Sequence, residues 1–186
     1  MNPKLKIQIE AEIQVPIELV WDSFTNPRRV TQWNHASPDW HTPWAKSDFK
    51  VGGKFIYRME SRDGSVGFDF SGVFTLILPY ERIEYLLDDG RLVQVIFEAG
   101  VQTTKITETF EAESENPPEL QQQGWQAILN NFKAYTENAG TLHTLHFGIV
   151  VAANVSKVYT TMIQNPGYSE WTSVFNPTSR YEGSWK

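Results

Sequence analysis

The chain opens on a run with a two-residue period. Leu5, Ile7, Ile9, Ala11, Ile13 and Val15 alternate with Lys6, Gln8, Glu10, Glu12 and Gln14, which is the pattern of a strand with one buried face. Pro16 then opens a helix at its first position, where a missing N–H costs nothing. Ile17, Val20, Trp21 and Phe24 follow at helical spacing. Asn26-Pro27 ends that helix and starts another, with Asn26 as N-cap and Val30 and Trp33 facing inward. His35 to Lys46, broken by Pro38 and Pro43, reads as a loop.

Strands follow. Phe55, Tyr57 and Met59 alternate with Ile56, Arg58 and Glu60, and Arg62-Asp63-Gly64-Ser65 has hairpin-turn chemistry. Phe68, Phe70, Gly72, Phe74 and Leu76 form one face of the next strand. Pro79-Tyr80-Glu81 turns the chain, Ile83, Tyr85 and Leu87 run to the Asp89-Gly90 turn, and Val93, Val95 and Phe97 continue. Ile106, Glu108 and Phe110 close the series. After a break at Ser114 to Pro118, Leu120, Gly124, Trp125, Ile128, Leu129, Phe132 and Tyr135 recur at three- and four-residue steps, with Gly140 as a C′ residue. The order is one strand, two short helices, about six antiparallel strands and one long helix. That is an α+β chain in which only the long helix is large enough to bury the apolar face of the sheet.

Several local motifs stand in this order: Val15-Pro16-Ile17-Glu18-Leu19-Val20-Trp21, then Trp33, Asp48-Phe49-Lys50-Val51-Gly52-Gly53-Lys54-Phe55, Gly72-Val73-Phe74, Pro79-Tyr80-Glu81-Arg82-Ile83 and Gly124-Trp125. Together they make residues 4–138 resemble the SRPBCC (START/Bet v 1-like) superfamily, in the branch named after the activator of Hsp90 ATPase. The resemblance implies a helix-grip fold, in which a curved antiparallel sheet wraps a long C-terminal helix with a cavity between them. Gly52-Gly53 then suits a sharp bend where the sheet curls, or an ordinary turn.

Residues 145–186 repeat the opening of this pattern. Leu145, Phe147, Ile149 and Val151 alternate like the first strand, and Val155, Val158, Tyr159 and Met162 have helical spacing. Val20-Trp21 corresponds to Val158-Tyr159 and Trp33 to Trp171, both 138 residues on, and Asn26-Pro27 to Asn165-Pro166 at 139. Gly53-Lys54-Phe55 corresponds to Gly183-Ser184-Trp185 after a shorter loop. A constant offset of like residues points to duplication. The expected organisation is a complete helix-grip domain over residues 1–140 and a partial second copy over 141–186. The copy stops short of the later strands and the long helix, so homodimer formation through this tail is one expectation.

Composition narrows the functional classes. A formal net charge of -6, with Arg28-Arg29 the only basic doublet, argues against a nucleic-acid surface. With no cysteine, disulfides, thiolate metal sites and a Cys nucleophile are excluded. Met1 to Glu12 is polar and alternating, unlike a signal peptide, and no apolar run approaches a bilayer span. A cytoplasmic location is expected. The 7 Trp, 7 Tyr and 11 Phe can line a pocket or simply fill a core.

The inward faces name the candidate ligand-binding residues: Phe55, Tyr57, Phe68, Phe70, Phe74, Tyr85, Val95, Phe97, Glu108, Phe110, Trp125, Ile128, Leu129 and Phe132, with Ile106 beside them. Glu108 stands out because a buried carboxylate is costly unless paired or protonated. It could orient a ligand or act as a base, or lie at a rim or against Arg58 or Tyr57. His35 and His41 flank Asp39 without a third ligand of suitable spacing, and His143 and His146 fall on opposite faces of a strand, so no metal site is expected. No Walker, dinucleotide or nucleophile-elbow motif is present, and no cofactor or catalytic set is assigned.

Three functions stay open: non-catalytic binding of a small hydrophobic or amphipathic molecule, a chaperone-interacting regulator as the family name implies, and a cyclase- or hydrolase-type enzyme. True activators of that chaperone carry a separate N-terminal domain, and this chain starts directly on the first strand, which counts against the second. For the third, Glu108, Tyr57 and His41 are the first residues to test.

Overall fold

The computed structural model describes residues 5–140 and 153–163. The chain divides into two units, Met1–Leu142 and His143–Lys186. In the first, the alternating opening forms β1 (Lys6–Ile13), with Ile7, Ile9 and Ile13 buried. Two short helices follow, α1 (Ile17–Thr25) and α2 (Pro27–Trp33). Pro16 proves to be the N-cap of α1, one position earlier than its helix-opening role predicts. Asn26 caps α2 as expected, its Oδ1 accepting the backbone N–H of Arg28 at 3.1 Å.

Six more strands complete the sheet: β2 (Trp40–Ser47), β3 (Lys54–Ser61), β4 (Gly67–Leu78), β5 (Arg82–Leu87), β6 (Leu92–Ala99) and β7 (Thr104–Glu111). They pair antiparallel in the order β1-β7-β6-β5-β4-β3-β2, which leaves β1 and β2 at the edges. This curled sheet and the long helix α3 (Pro118–Gly140) make the helix-grip α+β fold.

Three local expectations need correction. The segment read as a loop before Phe55 is largely strand β2, paired with β3 and irregular between His41 and Trp44. Pro43 is tolerated there because an edge strand has one side without ladder bonds. Only Thr42 is buried, so the strand carries no apolar alternation to read. With β2 in place, Gly52-Gly53 becomes the turn of a β2–β3 hairpin. Gly52 has φ +79°, and a Cβ on Gly53 would stand 1.9 Å from the Asp48 carbonyl oxygen.

In β4 the register slips between Phe74 and Leu76, so Ile77, not Leu76, opposes Ile83 and packs on the core. A bulge adds one residue and reverses the faces beyond it. Gly140 is the last residue of α3 rather than a positive-φ C′ residue. A Cβ there would lie 2.4 Å from Val15 Cγ1, so its small size serves close packing.

One feature of the sheet edge has no counterpart in the hydrophobic pattern. The helix α3 runs beside β1 and donates to its carbonyls: Gln122 Nε2 to Gln8 O and Gln126 Nε2 to Glu10 O, each at 3.1 Å, with Lys133 Nζ to Glu12 O. Glu137 Oε1 accepts from Gln14 N at 2.8 Å. Fifteen helical residues rise about 22 Å and six strand residues about 20 Å, so the two ladders stay in step. The edge β1 would otherwise offer to neighbours is thereby occupied.

In the second unit the described residues include one helix, α4 (Val155–Ile163), opened by Asn154, whose Oδ1 accepts from Lys157 N at 2.8 Å. The strand expected at 145–151, with His143 and His146, and the segment from 164 to 186 lie outside the described residues.

Candidate functional site

Between the sheet and α3 lies a cavity of about 450 Å³. Its existence follows from how α3 meets the sheet. Trp125 stacks flat on Phe110, with ring centroids 4.0 Å apart and planes at 14°, and fixes the helix over β7. Phe132 is clamped edge-on by Phe24 and Trp33. Next to the first anchor, position 124 is glycine and lines the cavity, and a Cβ there would meet nothing within 4 Å. The helix therefore bridges the hollow of the sheet without filling it.

Of the residues expected on the inward face, ten form the walls. Phe55 and Tyr57 come from β3, Phe68, Phe70 and Phe74 from β4, Tyr85 from β5 and Glu108 from β7, while Trp125, Ile128 and Leu129 roof the cavity from α3. Phe68 stands half exposed at the margin, its ring 5.9 Å from Trp40. The other four do not line it. Val95 and Phe97 are buried in the core, Phe97 against Trp21 and Phe24; Phe110 lies beneath Trp125, and Phe132 is part of the clamp. Ile106 is likewise buried in the core.

Sequence reasoning missed part of the lining. Phe24, Thr25, Trp33, Asn34 and Phe49 also line the cavity, as do the polar Arg91, Glu113, Asn116 and Gln121. A signal existed for Gln121, which is four residues before Trp125 and hence on the same helical face. Arg91 and Asn116 belong to turns, where no periodicity points inward.

Glu108 carries the main electrostatic feature. It is buried, neither at a rim nor held by Arg58 or Tyr57; Tyr85 Oη donates to its Oε1 at 3.1 Å. Burial pushes its carboxyl up to about 7, an effect the Tyr85 hydrogen bond only tempers. The Tyr85 hydroxyl is driven well above its ordinary value by burial and by the adjacent carboxylate, and burial also raises Tyr57. Arg91 pairs with Asp89 at 2.7 Å. A carboxylate accepts up to about four hydrogen bonds, so Glu108 can receive a donor from a guest, or exchange a proton near neutrality.

His35 and His41 stand apart from this centre. Asn131 Nδ2 reaches His35 Nδ1 at 3.0 Å and its carbonyl at 2.6 Å, and His41 Nε2 lies 3.4 Å from Glu60 Oε1. Burial first, and Arg62 second, lower the His35 pKa. Among the described residues no helix is long and apolar enough to cross a membrane.

The family model described as activator of Hsp90 ATPase homolog 1-like protein matches residues 14–137. The chain belongs to this family. Among solved structures, the AHSA1-like protein from Aeromonas hydrophila is 46% identical with a TM-score of 0.70, and the match covers 77% of this chain and 100% of that one. A protein from Cytophaga hutchinsonii is also 46% identical, at TM-score 0.63, over 76% of this chain and 99% of the other. A protein from Nitrosomonas europaea, 19% identical over 75% of this chain and 98% of its own, shares the fold at TM-score 0.64. No curated protein matches. The activator-homologue match ends before the second unit begins, and it contains every wall of the cavity.

Proposed function

We propose that this activator-homologue family member binds a small hydrophobic or amphipathic molecule in the cavity between sheet and α3, without transforming it. The observation that carries this reading is a void of about 450 Å³ walled by aromatic and aliphatic side chains, with Glu108 and Tyr85 inside it. Sites for small ligands are typically about 300–1,000 Å³, mostly apolar, with a few placed polar groups. Native mass spectrometry of the purified protein, followed by solvent extraction, tests the proposal. A co-purifying small molecule is expected, and it should be lost in Gly124→Phe, which sends a ring into the void. Failure of both the extracts and a panel of apolar dyes to bind would overturn it.

One observation favours a second reading, an enzyme of cyclase or hydrolase type: an acid with a pKa about 7 can both give and take a proton at neutral pH. In that case Glu108→Gln abolishes turnover while binding persists. A chaperone-regulating role is supported by the family description alone, and stimulation of chaperone ATP turnover is its test.

We also propose that residues 141–186 are a partial second copy that pairs with another chain. In support, α4 has the nine residues of α1 and begins 138 positions later. A cytoplasmic location fits both proposals.

A further inference from the structure

From the arrangement around Glu108 we propose that the guest is a lipophilic amine, its ammonium group seated on the Glu108 carboxylate and its apolar body among the rings. This rests on the binding reading above and names the ligand class for that same cavity.

Several independent features converge. Glu108 lies on the inward face of β7 between Ile106 and Phe110, opposite Val95 and Ile9, so its neighbours in the sheet offer no charge. Tyr85 Oη supplies one hydrogen bond to Oε1. Capacity remains for a donor arriving from the cavity, which Glu108 lines.

The charged side chains lining the void, among the described residues, are Arg91, Glu108 and Glu113. The Arg91 guanidinium is paired with Asp89 at 2.7 Å, and Glu113 binds the backbone and side chain of Asn116. Neither meets Glu108's need for a counter-charge.

The walls add a second attraction. Tyr85 is edge-on to Phe55 at 5.1 Å and to Phe70 at 6.5 Å, and Phe70 meets Trp125 at 5.8 Å. A cation near the face of such a ring is attracted by its quadrupole, whereas a second carboxylate would meet like charge and negative ring faces. An ammonium with an aryl or alkyl body satisfies the buried acid, the π surface and the apolar volume together. Burial drives Glu108 toward the protonated acid, and a cationic guest reverses this by making the ionised form the paired one.

The test uses three probes of one skeleton, 4-phenylbutylamine, 4-phenylbutanol and 4-phenylbutanoate, titrated calorimetrically into the full chain at pH 8. The amine is expected to bind about tenfold tighter than the alcohol, as charge-assisted hydrogen bonding and ring contact imply. The carboxylate should bind weakest. Glu108→Gln should remove the preference, bringing the amine down to the level at which the same variant binds the alcohol.

Equal binding of amine and alcohol to wild type overturns the amine assignment while leaving cavity binding intact. So does an amine preference that survives Glu108→Gln. Tightest binding by the carboxylate overturns it too, and points to a protonated Glu108 acting as donor. Should none of the three bind, the amine assignment falls, while the cavity-binding reading is decided by the extracts and the apolar dyes. The comparison of probes on wild-type protein stands even if the variant fails to fold.

Discussion

Glu108 is a carboxyl group buried on the inward face of the sheet, with Tyr85 as its hydrogen-bond donor. In the fold its acid is held up to about 7, against 4.5 for an ordinary glutamate. The folded chain therefore holds that proton more tightly than the unfolded chain does. The associated stability is complete below the unfolded value of 4.5 and is lost as pH rises through 7, a difference of about 3 kcal/mol. Glu108→Gln should be more stable than wild type by up to about that amount at pH 8, with the two converging near pH 4. Urea unfolding of both proteins across this range checks it, and a pH-independent difference would refute it. Gly124 permits a companion test. Gly124→Ala meets no atom within 4 Å and should stabilise the helix by about 0.5–1 kcal/mol in thermal or urea unfolding. Gly124→Phe should fold yet exclude ligand. Tyr80 shows what single residues conceal: its turn is readable, but its φ of 64° is not, nor is its ring lying 5.4 Å from Trp21.

Among the elements, α3 does two jobs with different faces. Trp125, Leu129 and Phe132 face inward, whereas Gln122, Gln126 and Lys133 run along the β1 edge. Gln122→Ala and Gln126→Ala should each cost about 0.5–1 kcal/mol in chemical denaturation, as expected for one partly exposed hydrogen bond. The double variant should also self-associate more readily, because it bares part of a strand edge. Sedimentation or light scattering reads that directly. The inward face of α3 was legible in sequence because apolar residues repeat at three and four. The edge-binding face was not, since glutamine at a helical spacing looks the same whether it meets solvent or a strand. Strand β2 was hidden for a related reason: at an edge, with Pro43 inside it and only Thr42 buried, it has no pattern of its own.

For the molecule as a whole, the division at Leu142 separates a unit with its own core from a tail without described strands. A chain ending at Leu142 should retain the urea midpoint of the full chain and bind the same probes. If the tail pairs with a second copy, the full chain should be dimeric by light scattering and the shortened chain monomeric. A monomeric full chain would exclude that pairing.

The element order apart from β2, the strand faces as far as Phe74, the caps at Asn26 and the Asp63-Gly64 turn were determined by sequence alone, because each follows from periodicity or from backbone preferences acting over a few residues. Which inward residues became cavity wall and which became packing was decided only in three dimensions. Phe110 and Phe74 share an alternation pattern, yet one lies under Trp125 and the other faces the void. The bulge that brings Ile77 inward, the Tyr85 hydroxyl that reaches Glu108 and the helix that spans the sheet above an empty position 124 all depend on segments distant in the chain meeting in space. No local pattern encodes the distance between two surfaces that have yet to pack.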